Sequence, residues 1–133
     1  MKRPEVEAAE PWLALAQADS EILGWIVERD DAPAELLGLG CFHGQQAAEK
    51  ALKAVLAAWD LPAPRSHDLT VLAAAVAPVA AMPEAILAAC EALADYGVGP
   101  RYPTPGRQIP RAVALRAQLD AQAIVRWCRG AIG

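Results

Sequence analysis

Aromatic residues are scarce in this chain. Four Trp, two Tyr and one Phe amount to 5% of its 133 residues. A core so poor in rings has to be built from alanine and leucine on closely approaching helices. Runs of β-branched residues are nearly absent too, and alanine is the best helix former, so a sheet-based fold is excluded and an all-α one predicted. Cysteine occurs at Cys41, Cys90 and Cys128, odd in number and widely spaced. That spacing excludes a disulfide or metal-ligand framework and reads as reduced core thiols of a cytoplasmic protein. His43 and His67 are the only histidines, too few for a histidine-based zinc site; neither a metal nor a cofactor is expected. There is no glycine-rich phosphate loop, no Ser, His and acid set at recognisable spacing, and no helix bristling with basic residues, which argues against duplex DNA binding by this chain alone. The longest uncharged apolar run, about Leu69 to Pro83, is broken by Pro78 and falls short of the ~20 residues a membrane span requires. The opening MKRPEVEAAEPW is charged and lacks a signal-peptide apolar region.

What is present suits one domain with a real core. Hydrophobic residues make up 55%, much of it alanine. Net charge is −4 but unevenly spread. Residues 1–40 carry three basic and nine acidic side chains, net −6; residues 41–96 carry three and six, net −3; residues 97–133 carry six and one, net +5. The basic end points to an anionic partner, or the two ends pair across a bundle.

Five helical segments follow from periodicity. The first runs from about Pro11 to Glu28, with the first ten residues frayed or disordered and Trp12, Leu15, Ile22, Leu23 and Ile26 forming its apolar stripe. Asp19 lies within that stripe, seven residues from both Trp12 and Ile26; a carboxylate facing a core requires a donor or a cation. The second helix runs from about Pro33 to Trp59, its stripe Cys41, Ala48, Leu52, Val55, Leu56 and Trp59. At about 100° per residue, His43, Gln46 and Lys50 share a different side, flanked by the small residues Ala47, Ala54 and Ala57. They are either a solvated polar face or part of a site.

Pro62 and Pro64 stop that helix. Ser66 is the predicted N-cap of a third helix, about His67 to Ala77, with Leu69, Leu72, Ala73 and Val76 inward and Asp68 in its first turn. Arg65 and His67 thus flank a helix N-terminus, where free N–H groups favour anions, unless Asp68 already supplies the negative charge. A fourth helix runs from Pro83 to about Tyr96, with Ile86, Ala89, Cys90, Leu93 and Tyr96 on one stripe. A fifth runs from Pro110 to about Arg129, with Ala112, Leu115, Leu119, Ala123, Ile124 and Trp127 inward. Short connections make an antiparallel bundle the economical architecture. Between the last two helices, YGVGPRYPTPGR holds Arg101 and Tyr102 between prolines that restrict the backbone.

Three stretches taken in order, FHGQQAAEKALKAVL (42–56), PRSHDL (64–69) and YGVGPRYP (96–103), resemble the HEPN domain family (higher eukaryotes and prokaryotes nucleotide-binding). The resemblance extends from Trp12 to Trp127. It implies a single antiparallel bundle of four to five helices over residues 11–130, commonly a homodimer, often encoded beside a minimal nucleotidyltransferase in pairs that include prokaryotic toxin–antitoxin systems. Some members look like nucleotide-binding modules; others are metal-independent ribonucleases that use an Arg followed four to six residues later by a His. Here Arg65 precedes His67 by two residues, and Arg29 precedes His43 by fourteen, so that motif is missing and the expectation leans away from an enzyme. Thr104 also stands where similar proteins often have an acidic residue.

Three readings follow. In the first, His43, Gln46, Lys50, Arg65, His67, Arg101 and Tyr102 form a nucleotide pocket. The cations hold phosphates, Tyr102 stacks on a base, and Asp19 and Tyr96 support the site. In the second, the protein is an RNA-cleaving toxin with a non-standard set, His67 acting as general acid or base and Arg65 or Arg101 steadying phosphate charge. In the third, it is a dimeric interaction partner and every one of these residues serves the fold.

Overall fold

The computed structural model describes residues 3–97 and 108–133. These form five helices, α1 (Val6–Glu28), α2 (Ala34–Ala58), α3 (Leu69–Val76), α4 (Glu84–Ala94) and α5 (Arg111–Ile132), with no strand among the described residues. The all-α helical bundle read from composition and periodicity is the fold. None of these helices is long and apolar enough to cross a membrane.

Helix α2 is the axis of the molecule, and the other four all pack on it. It is buried on almost every side, through Leu37, Cys41, Ala48, Leu52, Val55 and Leu56 among others. α1 lies antiparallel to it: the Glu5 N–H donates to the Ala58 carbonyl at 2.7 Å, and Leu23 sits over Gly40 and Gly44. A Cβ on Gly44 would lie 2.9 Å from Leu23 Cδ2, with the Ala117 carbonyl and the Ala121 methyl at 3.8 Å. Glycine at that position therefore lets two neighbouring helices press against α2 at once. α5 runs parallel to α2, and the Trp59 indole N–H donates to the Ala131 carbonyl at 3.2 Å where the two helices end. At the other end of α5, the Arg111 guanidinium donates to the Val27 carbonyl and, at 2.6 Å, to the Arg29 carbonyl. A cation thereby caps the C-terminus of α1, where unsatisfied carbonyls carry the negative end of the helix dipole.

Four expectations change. α1 begins at Val6, not at Pro11, and Ala9 is fully buried, so the segment expected to be frayed is helical from Val6 onward. Pro11 is tolerated because Glu7, whose carbonyl it leaves without a helical partner, is on the exposed side. The buried stripe of α1 is Ala9, Leu13, Ala16, Leu23, Ile26 and Val27, whereas Leu15 is 50% exposed. In α5 the inward residues are Ala114, Ala117, Ala121, Ile124, Val125 and Cys128. Ala112, Leu115 and Leu119 face outward; for the two leucines, the close approach of α5 to α1 and α2 selects methyl groups over isobutyl ones. The fourth change is at α3. It starts at Leu69, and Asp68, not Ser66, is its N-cap: Asp68 Oδ1 accepts from Thr70 N at 2.9 Å. The Ser66 hydroxyl accepts the Asp68 N–H at 3.0 Å instead. The inward face of α3, Leu69, Leu72, Ala73 and Val76, is as expected.

Candidate functional site

Two buried carboxylates organise the polar chemistry along α2. The first is Asp19 of α1, 6% exposed within an apolar stripe. Its Oδ2 accepts from Lys50 Nζ at 2.6 Å, and its Oδ1 lies 2.8 Å from His43 Nδ1. A carboxylate can only accept, so His43 holds its proton on Nδ1. The partner that Asp19 required thus comes from the His43–Lys50 face of α2. Phe42 meets the His43 ring edge-on, centroids 5.6 Å apart. These groups seal the α1–α2 seam.

The second is Glu49 of α2, 4% exposed. His67 Nδ1 lies 3.0 Å from its Oε1, and Lys53 Nζ donates to its Oε2 at 3.0 Å. Gln45, fully buried, donates to the His67 carbonyl at 2.9 Å and accepts from Gln46 Nε2 at 2.8 Å. The loop after α2 is therefore fixed at His67 through both its ring and its backbone. Among the described residues every buried side-chain nitrogen and oxygen has a partner, as a stable polar network requires. With Nδ1 facing Glu49, His67 turns Nε2 outward, and its side chain is 78% exposed.

This network forms one wall of an open cleft of about 560 Å³ between the start of α1, the end of α2 and the α2–α3 loop. Trp12, Leu56, Ala57, Leu61, Ala63 and Pro64 make its apolar lining, and Lys53, Arg65, Ser66 and His67 its polar one. Lys53 Nζ sits 5.7 Å from the centroid of the Trp12 ring, a cation–π contact. Arg65 is exposed and meets no carboxylate among the described residues. Asp68 is turned to α3: its hydrogen bonds from the Thr70 hydroxyl and backbone hold its carboxyl below the ordinary aspartate value. Among the described residues no group of three or more His, Cys, Asp or Glu is arranged to hold a metal ion.

The predicted residues divide accordingly. Arg65 and His67 line the cleft; His43 and Lys50 are engaged at Asp19; Gln46 bonds to Gln45, which in turn holds the His67 backbone. Tyr96 is half-buried at the end of α4, and Gly97 lies against the Gln45 side chain. Arg101 and Tyr102 lie outside the described residues. Trp12, Gln45, Glu49 and Lys53 were not foreseen as site residues. Gln45 had a legible signal: spaced 41–45–48–52, it falls in the apolar stripe of α2, as Asp19 does in that of α1. Another buried carboxylate, Asp120 of α5, is pushed above the ordinary aspartate value by burial, with Arg116 at 3.3 Å opposing the shift.

A family model described as HEPN domain matches residues 29–131. The crystal structure of TT1696 from Thermus thermophilus superposes with a TM-score of 0.79 at 26% identity, covering 92% of this chain and 97% of that one. The HEPN domain protein TM0613 from Thermotoga maritima superposes with a TM-score of 0.71 at 23% identity, covering 90% and 94%, a likeness of fold. No curated protein sequence matches significantly.

Proposed function

The chain belongs to the HEPN domain family, and we propose that it is a binding module of that family which takes a nucleotide-like, phosphate-bearing ligand in the cleft beside α2. One observation carries the reading: Lys53, Arg65 and His67 converge with Trp12 on a single cleft whose remaining walls, Ser66 apart, are apolar. An apolar cleft with a few convergent polar groups is the usual form of a small-molecule site. Arg65 offers a planar fork for phosphate oxygens, Lys53 a point charge, and Trp12 an aromatic surface for a base. The proposed roles of Lys50 and His43 shift to support, since both are held at Asp19. Calorimetric titration with ATP, GTP and AMP tests the reading. Binding that weakens in Arg65→Ala and Lys53→Ala supports it; no heat at millimolar ligand, with the protein folded by circular dichroism, overturns it.

The Glu49–His67 hydrogen bond favours a second reading. A carboxylate that fixes one ring nitrogen and leaves the other outward is how an imidazole is oriented for proton transfer. Under it the protein cleaves RNA with His67 as general acid or base and Arg65 at the phosphate. Cleavage of labelled RNA that disappears in His67→Ala would replace the first reading with this one. The proposal extends to assembly: a homodimer associated with a minimal nucleotidyltransferase, as in a toxin–antitoxin pair. Light scattering of the purified protein and copurification from its native host examine those two points.

A further inference from the structure

We propose that the outward face of α5 is a docking surface for a helix of a partner protein, one that carries apolar side chains along part of a stripe and carboxylates along the rest. None of the cleft's lining belongs to α5, so this surface goes beyond the binding reading and does not depend on it. Ala112, Leu115, Leu119, Gln122, Arg126 and Arg129 are all exposed. They follow one another at steps of three, four, three, four and three residues. That alternation is the heptad seam by which one helix packs along another. From Leu115 to Arg129 the seam runs ~21 Å at about 1.5 Å per residue. Single exposed leucines are ordinary on a protein surface. Here two of them, 40% and 58% exposed, stand one turn apart on the same seam. The seam then turns polar at Gln122 and cationic at Arg126 and Arg129.

The charges define what covers it. Arg111 caps α1, and Arg116 lies off the seam and pairs with Asp120, the one acid of α5, which is buried. Every Asp and Glu of the chain falls among the described residues, since residues 1–2 and 98–107 contain none. Among the described residues no ion pair joins any of them to Arg126 or Arg129. A complementary helix therefore brings carboxylates to the arginine half and apolar side chains to the leucine half. Gln122, a polar group within the seam, fixes the register. The α5 of a second copy does not fit. Antiparallel about Gln122, it sets Arg126 against Leu119 and Arg129 against Leu115, with no carboxylate for either cation; parallel, it sets arginine against arginine. Nucleic acid is the poorer match, because the leucine half offers nothing to phosphates.

The test is heteronuclear NMR on the isotope-labelled full chain, titrated to millimolar with a synthetic helical peptide of about six turns. The peptide's own seam carries two leucines and two glutamates in succession, made in both orders so that it can lie parallel or antiparallel to α5. The expected result is that one order shifts the amide signals of residues 112–129, with an affinity that falls as salt rises. Leu119→Ser, and Arg126→Glu together with Arg129→Glu, should each weaken that affinity at least about fivefold. A peptide with lysine in place of glutamate should restore binding to the charge-reversed variant. All three residues are exposed, and the amide spectrum itself reports that each variant is folded. No shift with either order, shifts confined to other helices, or equal binding of the lysine peptide by the parent would overturn the proposal. An oligouridylate RNA that binds through Arg126 and Arg129 more tightly than the peptide would also overturn it. So would light scattering that shows a dimer lost in Leu119→Ser, the face then belonging to a second copy.

Discussion

Asp19 was legible as a carboxylate placed in an apolar stripe, and its partners show how such a charge is kept. Lys50 and His43 each approach one of its oxygens. Removing the acid alone leaves a lysine 23% exposed and an imidazole 31% exposed at the seam. Asp19→Ala should therefore lower unfolding free energy by about 2–3 kcal/mol, read from urea denaturation. The paired change Asp19→Leu with Lys50→Met should cost less than the single one, because no unpaired charge remains. Asp120 behaves in the opposite sense to most acids. Its folded-state value is raised by burial, so the folded protein holds that proton more tightly than the unfolded chain. Its unfavourable contribution is absent below the ordinary aspartate value, grows as pH rises through the raised folded value, and is constant above it. Asp120→Asn should be more stable than the parent at pH 7 and lose that advantage at pH 4, as thermal melts across the range would record. Glu49 was not legible, because Glu49 and Lys53 at i and i+4 read as an ordinary surface pair. Only the fold buries them beneath the α2–α3 loop.

Helices were legible as elements from alanine content, proline stops and stripes, but the rotation of two of them was not. In α3 Leu69, Leu72 and Val76 point inward, and periodicity located them. In α1 and α5 alanines share the buried face with larger residues, Ala9 and Ala16 in α1 and Ala114, Ala117 and Ala121 in α5, so Leu15, Leu115 and Leu119, the heavier markers in the pattern, pointed to the wrong face. A binary hydrophobic pattern ranks leucine above alanine, whereas packing at short interhelical distance ranks them in reverse. The difference is measurable. Gly44→Val would force branched carbons toward Leu23, the Ala117 carbonyl and Ala121, and should destabilise the protein by about 2–3 kcal/mol in chemical denaturation. Leu119→Ser, at a side chain 58% exposed, should change stability by no more than about 0.5 kcal/mol. The capping residue of α3 was misplaced by two positions for a related reason. Ser66 and Asp68 are both good caps, and the hydrogen bond from Gln45 to the His67 carbonyl fixes the backbone so that Asp68 takes the role.

Across the whole molecule, the acidic first part and basic last part meet where Arg111 closes over the end of α1, with Asp30 at 3.9 Å from the same guanidinium. The pairing is of helix ends more than of charged surfaces, which a count of charges along the sequence does not resolve. The three cysteines give a reading of global opening. All are buried thiols. Burial, with Glu91 and Asp120 nearby, pushes the Cys90 thiol up to about 12, and burial raises Cys128 as well. The thiolate is the reactive form, so the native protein should be inert to a thiol reagent at pH 8 over minutes. All three cysteines should react together once denaturant unfolds it. Reaction of one thiol well before the unfolding midpoint would show that a helix detaches from the bundle independently.

The last turn of α2 anchors both ends of the chain. Glu5 bonds to Ala58 and Ala131 accepts from Trp59, which brings the approach to α1 and the end of α5 to neighbouring residues of one helix. The order of the helices along the polypeptide is then separable from their arrangement in space. A circular permutant that joins Gly133 to Glu5 through a short glycine-serine linker, and opens instead between Asp31 and Ala32 in the exposed α1–α2 turn, should fold to the same bundle and keep the cleft intact. Its new ends would emerge at the opposite pole, leaving the Trp12–Arg65 side clear for labels, tethers or a fused reporter.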